Sequence, residues 1–147
     1  MDIRNIIETS KDRHLATSDL NNTNAISVLS KLDQKIYEDI VLNHEGAEKD
    51  MVNNGDGTYS DRVFPYKNDT DELIASHRFM DMYCYYLACE HDTINNEQDR
   101  YNNHLMLFNE AYQEFVCWYN ENNMPIQRGR LQTAPSYKRR VKDAFPY

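Results

Sequence analysis

The chain has 147 residues with 40% hydrophobic and 27% charged side chains, which suits one domain with a modest core and a very polar surface. Four Gly and four Pro are too few for a collagen-like or linker-like chain, and no run of about 18 apolar residues predicts a membrane span. Three Cys argue against a secreted disulfide scaffold, so we expect a soluble intracellular protein without membrane contact.

The formal net charge of −8 divides unevenly along the chain. Residues 1–123, the body, contain 10 Lys/Arg and 23 Asp/Glu, a net charge of −13. Residues 124–147, the basic tail, contain six Lys/Arg and one Asp, a net charge of +5. Because surfaces of opposite charge favour different partners, the body and the basic tail are expected to have separate contacts.

Two helices are predicted in the first third of the chain. Residues 1–10 place Ile3, Ile6 and Ile7 on one helical face, and a polar loop follows over residues 11–22. A second helix begins near Thr23 or Asn24, both suited to N-capping, and Gly46 is its predicted stop. Its apolar stripe has helical spacing and consists of Ala25, Leu29, Leu32, Ile36 and Ile40.

A β-hairpin is predicted over residues 50–64. The densest turn signal of the chain lies there, and its expected contact residues are Asn54, Gly55, Asp56, Gly57 and Tyr59. A calcium loop would place Gly55 sixth, which puts Val52 at the third position and Asp61 where a bidentate Glu belongs. Since Val cannot bind calcium, the hairpin is favoured.

Two further helices are predicted to pair as an antiparallel hairpin joined at Asn95-Asn96. The third covers about residues 77–94, with Phe79, Tyr83, Tyr86 or Leu87, Glu90 and Ile94 on one side. The fourth covers about residues 97–122 and ends before Met124-Pro125. Its apolar residues repeat at steps of three and four and form a seam: Tyr101, Leu105, Phe108, Tyr112, Phe115 and Tyr119.

The predicted fold is therefore mainly α, a bundle of about four helices with an inserted β-hairpin and an extended C-terminal tail. The basic tail has apolar residues that are too scattered to build a core, so it is expected to order on a partner. The residues expected to make that contact are Arg128, Arg130, Tyr137, Lys138, Arg139, Arg140 and Phe145. Nucleic-acid phosphates, an acidic protein surface and simple solvation are three alternatives for these side chains.

A zinc site is the first chemical alternative to weigh. Cys84, Cys89 and His91 lie close in sequence, and His104 and Cys117 lie on the neighbouring helix. Residues five apart lie about 140° apart around a helix, so the first two cysteines are predicted to face different sides. Small buried cysteines are the favoured interpretation.

Acidic residues flank the predicted turn between the third and fourth helices: Glu90, Asp92, Glu97 and Asp99. A di-metal bundle needs Glu-x-x-His pairs on facing helices, and the chain has none, so a solvated helix face is predicted. The chain also lacks a glycine-rich phosphate loop, a Gly-x-Ser-x-Gly elbow and a His-Glu-x-x-His motif. We therefore expect no enzyme, no cofactor and no metal.

Five runs of residues stand out between positions 25 and 125: LSKLDQKIYEDI (29–40), HEG (44–46), DRYNN (99–103), LFN with AYQ (107–113), and WY followed by MP (118–125). These runs resemble a family of small proteins from tailed phages and prophages, the head-to-tail connector (adaptor) proteins. The resemblance covers about residues 25–125, and its most specific part runs from Arg100 to Tyr119. In this family a proline precedes the third helix, where this chain has Leu-Ile-Ala-Ser-His-Arg at 73–78.

The resemblance implies a structural virion protein at the head–tail interface, assembled in the host cytoplasm. Such connectors form a homo-oligomeric ring, typically of twelve copies, beneath the portal protein and above a tail or stopper protein. The ring extends the DNA channel, through which double-stranded DNA passes without sequence-specific binding. The hairpin would then reach a neighbour, the basic tail would dock on the portal, and an acidic wall would repel the DNA phosphates.

A different class of function stays open at this stage. A helical regulatory binding module could use the basic tail to contact nucleic acid or a host protein. This alternative predicts DNA binding that weakens with salt and is lost when the basic tail is removed.

Overall fold

Four α-helices and a small hairpin make up the described part of the chain, residues 1–13 and 22–126 of the computed structural model. The helices are α1 (Ile3–Asp12), α2 (Asn22–Asp39), α3 (Met80–Ile94) and α4 (Gln98–Asn122), and the strands are β1 (Val52–Asn53) and β2 (Tyr59–Ser60). Short 3-10 turns span Val41–Asn43, Ala47–Asp50 and His77–Phe79. The mainly helical fold with one inserted hairpin is as predicted. The seven predicted contact residues of the basic tail lie outside the described residues.

Helix α1 lies where it was predicted but is shifted by two residues, spanning Ile3–Asp12 instead of residues 1–10. Asp2 is the N-cap, and its carboxylate accepts a hydrogen bond of 3.1 Å from the Asn5 amide. The predicted apolar face is fully buried in the core. The start of the helix is held against the loop before α3, since the amides of Ile3 and Arg4 donate to the carbonyls of Asp71 and Asp69.

All five residues of the predicted apolar stripe are buried. Helix α2 ends earlier than predicted, at Asp39 rather than near Gly46, so Ile40 lies just beyond it. The physical reason is Asn43, whose side-chain amide donates to the Asp39 carbonyl at 2.8 Å and takes the place of the next helical turn. Gly46 instead adopts the left-handed conformation, with φ of 80°, in the turn that follows.

The hairpin lies where it was predicted, but its ladder is short. The strands pair Val52 with Ser60 and Asn53 with Tyr59, and all the residues between them are exposed. Turn chemistry rather than strand length holds the loop together. The Asn53 side chain accepts from the Gly55 amide at 2.8 Å, and Asp56 accepts from the Thr58 amide at 3.0 Å.

Helices α3 and α4 form the predicted antiparallel hairpin. The turn places Asn96 at φ of 57°, a left-handed conformation that Asn tolerates better than most residues. Aromatic pairs follow the antiparallel order, with Phe79 beside Phe115 at 5.1 Å and Tyr86 beside Phe108 at 5.2 Å between ring centroids. These contacts set the register of the two helices.

Helix α3 is the central helix, because it packs against α1, α2 and α4. The predicted stripe is correct only in part: Phe79, Tyr83 and Leu87 are buried as expected, but Glu90 and Ile94 are exposed. The helix buries residues on most of its surface, which are Met82, Tyr83, Cys84, Leu87, Ala88, Cys89, His91 and Asp92. A helix enclosed by three others does not show one polar face.

The far end of α4 is tied back to the end of α2. His44 lies 2.6 Å from both the Ile40 carbonyl and the Asn120 side-chain oxygen, and its ring meets Tyr119 edge-on at 5.0 Å. The Glu45 amide donates to the Met124 carbonyl at 2.8 Å. None of the helices in the described ranges is both long enough and apolar enough to cross a membrane.

Candidate functional site

A buried carboxylate connects three parts of the fold. Asp33 of α2 is fully buried and accepts hydrogen bonds from the hydroxyls of Tyr83 (2.5 Å) and Tyr66 (2.6 Å) and from the Ile74 amide (3.0 Å). These donors come from α3 and from the loop between the hairpin and α3. Asp33 therefore holds α2, α3 and that loop in one arrangement.

Donors around the network determine which way the two tyrosine hydroxyls point their hydrogens. The Tyr83 hydroxyl accepts from the Ala75 amide at 3.1 Å, and the Tyr66 hydroxyl accepts from Arg62 Nε at 2.9 Å. Because both hydroxyls already accept, they donate toward Asp33, which acts purely as an acceptor. Arg62 thus stabilises the buried carboxylate through the Tyr66 hydroxyl.

Burial changes the acidity of the whole network. Desolvation raises the pKa of Asp33 above its ordinary value, and the three donors oppose that rise. Desolvation and the neighbouring carboxylate also raise the pKa of both Tyr66 and Tyr83. Asp33 and Tyr83 are fully buried, and the hydroxyl of Tyr66, whose side chain lines a cavity of about 410 Å³ at the base of the hairpin, is engaged by Arg62 and Asp33. We therefore interpret the network as a structural junction.

A second buried carboxylate corrects the prediction that the acidic residues near the α3–α4 turn form a solvated face. Asp92 is fully buried, and His104 Nδ1 donates to its Oδ2 at 2.5 Å. Its Oδ1 accepts no hydrogen bond from the described residues, and Arg100 Nε and His91 Nδ1 lie 3.8 and 3.9 Å away. The position on α3 that faces α4 explains the burial, since α4 covers it.

The candidate zinc ligands are not brought together. Cys84 and Cys89 are both buried, although they were predicted to face different sides, because α3 is covered on several faces. Cys117 is exposed on α4, and burial raises the pKa of Cys89 to about 11. Among residues 1–13 and 22–126, no three His, Cys, Asp or Glu side chains are grouped so that they could hold a metal ion.

The predicted seam of α4 divides into two parts. Phe115 and Tyr119 are buried in the core, whereas Tyr101, Leu105, Phe108 and Tyr112 are half-buried. Lys35 of α2 lies over the Tyr112 ring, 5.7 Å from its centroid. The contiguous hydrophobic core reaches only to Leu87 on α3 and to Phe108 on α4.

We call residues 88–107 the outer end of the α3–α4 hairpin, and residues 79–87 with 108–119 its inner end. No residue of the outer end belongs to the contiguous hydrophobic core. Two large apolar side chains are exposed there, Ile94 at 65% and Met106 at 57%. The outer end therefore presents apolar surface that the described part of the chain leaves uncovered.

An acidic groove lies between α3 and α4. It has a volume of about 250 Å³, with Phe79, Leu107 and Ala111 among its apolar lining. Its acidic residues are Asp81, Glu110 and Glu114, and all three are exposed. A groove with an apolar floor and carboxylates at its edges suits a basic segment that also carries an apolar side chain.

The predicted hairpin contact residues, 54–57 and Tyr59, are all exposed at the tip and second strand of the hairpin. Asn54 donates to the Ser60 hydroxyl at 2.8 Å, so the tip is held in shape. A cavity of about 410 Å³ at the base of the hairpin is lined partly by Arg62. The Arg62 guanidinium already donates to the carbonyls of Asp50 and Glu72, which leaves little capacity for an anion.

The sequence did not predict the roles of Asp33 and Tyr66, nor the contact between Asp92 and His104. A signal for Asp33 exists, since it lies four residues after Leu29 and three before Ile36, beside the apolar stripe of α2. A charged residue at such a position indicates a buried, hydrogen-bonded group. The Asp92–His104 contact carries no comparable local signal, because it depends on the register of two helices.

Comparison with known proteins gave no match among family models, curated proteins or solved structures.

Proposed function

We propose that this chain is a non-catalytic structural subunit, a head-to-tail connector of a tailed phage, that is completed by contacts with other copies and with a portal protein. The observation that carries the proposal is the uncovered outer end of the α3–α4 hairpin. Its seam residues Tyr101 and Leu105 continue the apolar repeat of α4 beyond the point where the core ends. Apolar residues that continue past the core of their own chain indicate a surface for a partner.

The charge of the body fits a ring around DNA. A net charge of −13 over residues 1–123 would repel DNA phosphates, so a channel wall with this charge would let the duplex slide. In the proposed assembly the basic tail docks on the portal, and the rigid hairpin tip contacts a neighbour or the next tail component.

The polar clusters support a structural role for the body. Asp33 and Asp92 are both fully buried, and their partners are side chains and amides of the same fold. Groups used in this way rigidify a scaffold rather than act on a substrate. A subunit that must keep its shape while it joins a ring benefits from such fixed junctions.

Electron microscopy of the purified chain mixed with the portal protein of the same genome tests the proposal. We expect a ring of copies on one end of the portal, with a central channel. A chain that stays monomeric and ignores portal and tail proteins at micromolar concentration would refute the connector assignment.

A matched pair of variants tests whether the outer end forms the contact between copies. Met106→Glu places a charge on the uncovered surface and is expected to abolish ring formation while the helical content is kept. Leu42→Glu places the same charge on an exposed apolar side chain outside the α3–α4 hairpin and is expected to leave the ring intact. Equal behaviour of the two variants would show that the outer end is not the contact.

The regulatory alternative gives a different result in the same preparation. A nucleic-acid-binding module would bind DNA at low salt, and the binding would disappear when residues 126–147 are removed. The connector proposal predicts no such binding, because the body is strongly acidic. Filter binding or fluorescence anisotropy with a labelled duplex separates the two functions.

A further inference from the structure

The acidic groove between α3 and α4 has a composition that calls for a partner. The Phe79 ring forms part of its buried lining, and Leu107 and Ala111 are half-buried beside it. Three carboxylates stand at its edges, and only one of them, Asp81, has an ion-pair partner among the described residues, Arg13. Glu110 and Glu114 lie four residues apart on α4, so they share one helical face.

The cation in the groove lining does not neutralise these two glutamates. The Arg78 guanidinium lies over the Phe79 ring, 5.5 Å from its centroid. The groove therefore offers two negative charges next to apolar side chains, an arrangement that repels acidic segments and gives a neutral segment no charge complement. A complementary ligand has one apolar or aromatic side chain followed closely by two or more cations.

We infer that the occupant of this groove in the free subunit is the chain's own segment 137–142, Tyr-Lys-Arg-Arg-Val-Lys. The Tyr137 ring would lie on the apolar floor, and the cations that follow it would pair with Glu110 and Glu114. This segment contains four of the six basic residues of the basic tail, and its tyrosine directly precedes them. Its aromatic ring complements the apolar lining of the groove, and its cations complement the two glutamates.

The length of the chain allows this contact within one molecule. Ile126 is the last described residue, and its amide donates to the Asn43 carbonyl at 2.8 Å, near the end of α4. The 11 residues from there to Tyr137 can span up to about 36 Å when extended. The end of α4 lies about 18 Å from Glu110 along the helix. An intramolecular segment also has an effective concentration in the millimolar range, which favours it over a second copy.

This pairing does not depend on the proposed function, since it concerns the free subunit. If the basic tail also docks on a portal, the groove must release the segment first. The groove would then keep the basic tail masked until a stronger acidic or apolar surface replaces it. Weak surface charge pairs are suited to such an exchange.

Zero-length carbodiimide crosslinking of the full chain tests the contact. We expect isopeptide bonds between Lys138 or Lys142 and Glu110 or Glu114, identified by peptide mass spectrometry. An equal mixture of ¹⁴N- and ¹⁵N-labelled protein tells one molecule from two, and we expect crosslinked peptides of a single isotope. Mixed-isotope products would assign the occupant to a second copy and overturn the inference.

Tyrosine variants test the position of the segment. Tyr137→Ala is expected to lower these crosslinks at least about threefold, whereas Tyr147→Ala, with the same ring lost nearby, should leave them unchanged. A loss in the Tyr147 variant alone would show that a different part of the basic tail occupies the groove.

Limited trypsin digestion supplies a readout that does not use the glutamates as targets. We compare the cleavage rate after Arg139 and Arg140 in Glu110→Gln/Glu114→Gln with that in Glu90→Gln/Glu121→Gln, which removes two exposed glutamates outside the groove lining. The groove variant should be cleaved about threefold faster or more, because its segment is undocked more often. Equal rates in both variants, or crosslinks spread evenly over the carboxylates of the body, would refute the contact.

Discussion

The inner and outer ends of the α3–α4 hairpin share one apolar repeat but differ in what covers it. At the inner end, Phe115 and Tyr119 are buried in the core, Phe115 beside the Phe79 ring and Tyr119 beside the His44 ring. At the outer end, Tyr101 and Leu105 lie beyond that core, next to exposed apolar side chains. A helical repeat thus predicts that a face is apolar, but it does not show whether the covering surface belongs to the same chain.

The buried carboxylates repeat the contrast. Asp33, packed against the inner end, accepts from three donors. At the outer end, the Asp92 side chain accepts one hydrogen bond from the described residues, from His104, and its other oxygen lies 3.8 Å from Arg100 Nε. The inner end is completed within one molecule both in packing and in hydrogen bonding. At the outer end, exposed apolar side chains and one oxygen of Asp92 have no such partner among the described residues, which is why we propose that a second copy covers it.

Matched Phe→Ala substitutions on α4 test whether burial falls off from the inner end toward the outer end. Phe115→Ala is expected to cost about 3–5 kcal/mol of unfolding free energy, because it leaves a cavity in a covered part of the core. Phe108→Ala, at the inner-end residue next to the outer end, should cost less than half as much, since its ring is only half-buried where the core ends. Urea unfolding followed by circular dichroism measures both, and equal losses would contradict the division.

Matched Asp→Asn substitutions test the two carboxylates. Asp33→Asn is expected to cost about 2–3 kcal/mol, because an amide N–H₂ would face hydroxyl and backbone donors. Asp92→Asn should cost about 1 kcal/mol or less, because one oxygen suffices for His104. The same urea unfolding experiments measure both variants. A larger loss of unfolding free energy for Asp92→Asn than for Asp33→Asn would contradict the view that Asp33 is the better-satisfied carboxylate.

The pH dependence of the Asp33→Asn loss sharpens this test. Burial raises the pKa of Asp33 above its ordinary value of 3.8, so between the two values the folded chain binds more protons than the unfolded chain. Asp33 therefore contributes most at low pH, and its contribution falls as the pH rises through that window. The loss caused by Asp33→Asn should shrink as the pH rises from about 4 and then level off. A loss that grows with pH would show a lowered pKa.

The cysteines report which surfaces are covered, with no change in stability. Cys117 is exposed, whereas Cys84 and Cys89 are buried and have raised pKa values, about 11 for Cys89. At pH 8 a thiol reagent should label Cys117 at least about 100-fold faster than the other two. Cys117→Ser serves as the control and should remove the fast phase, and a remaining fast phase would contradict the burial of α3.

Much of this fold follows from local patterns. The helix positions, the hairpin and the antiparallel pairing of α3 and α4 could be predicted, because apolar spacing, Asn-Gly turns and the short Asn95-Asn96 connection act locally. The end of α2 could not, since Asn43 caps it through a side chain. The burial of Asp92 depends on helix register, which no short stretch of sequence specifies.

The surfaces proposed for assembly differ in how far local sequence could indicate them. The seam and the hairpin tip were predicted as contacts. The structure exposes the hairpin tip and leaves four of the six seam residues half-buried, whereas Phe115 and Tyr119 are buried in the core. The acidic groove was not predicted, because its lining combines residues that are distant in sequence, such as Phe79 and Glu114, which lie 35 positions apart. The contact residues predicted in the basic tail lie outside the described residues.

Oxidative footprinting of Met106 tests the central claim most directly, namely that the outer end is covered by a neighbouring copy in the assembly. Met106 is 57% exposed in the single chain, so dilute hydrogen peroxide should convert it readily to the sulfoxide. In the complex with the portal we expect its oxidation to slow at least about fivefold relative to the free subunit. Equal oxidation rates in the free and assembled chain would contradict the claim.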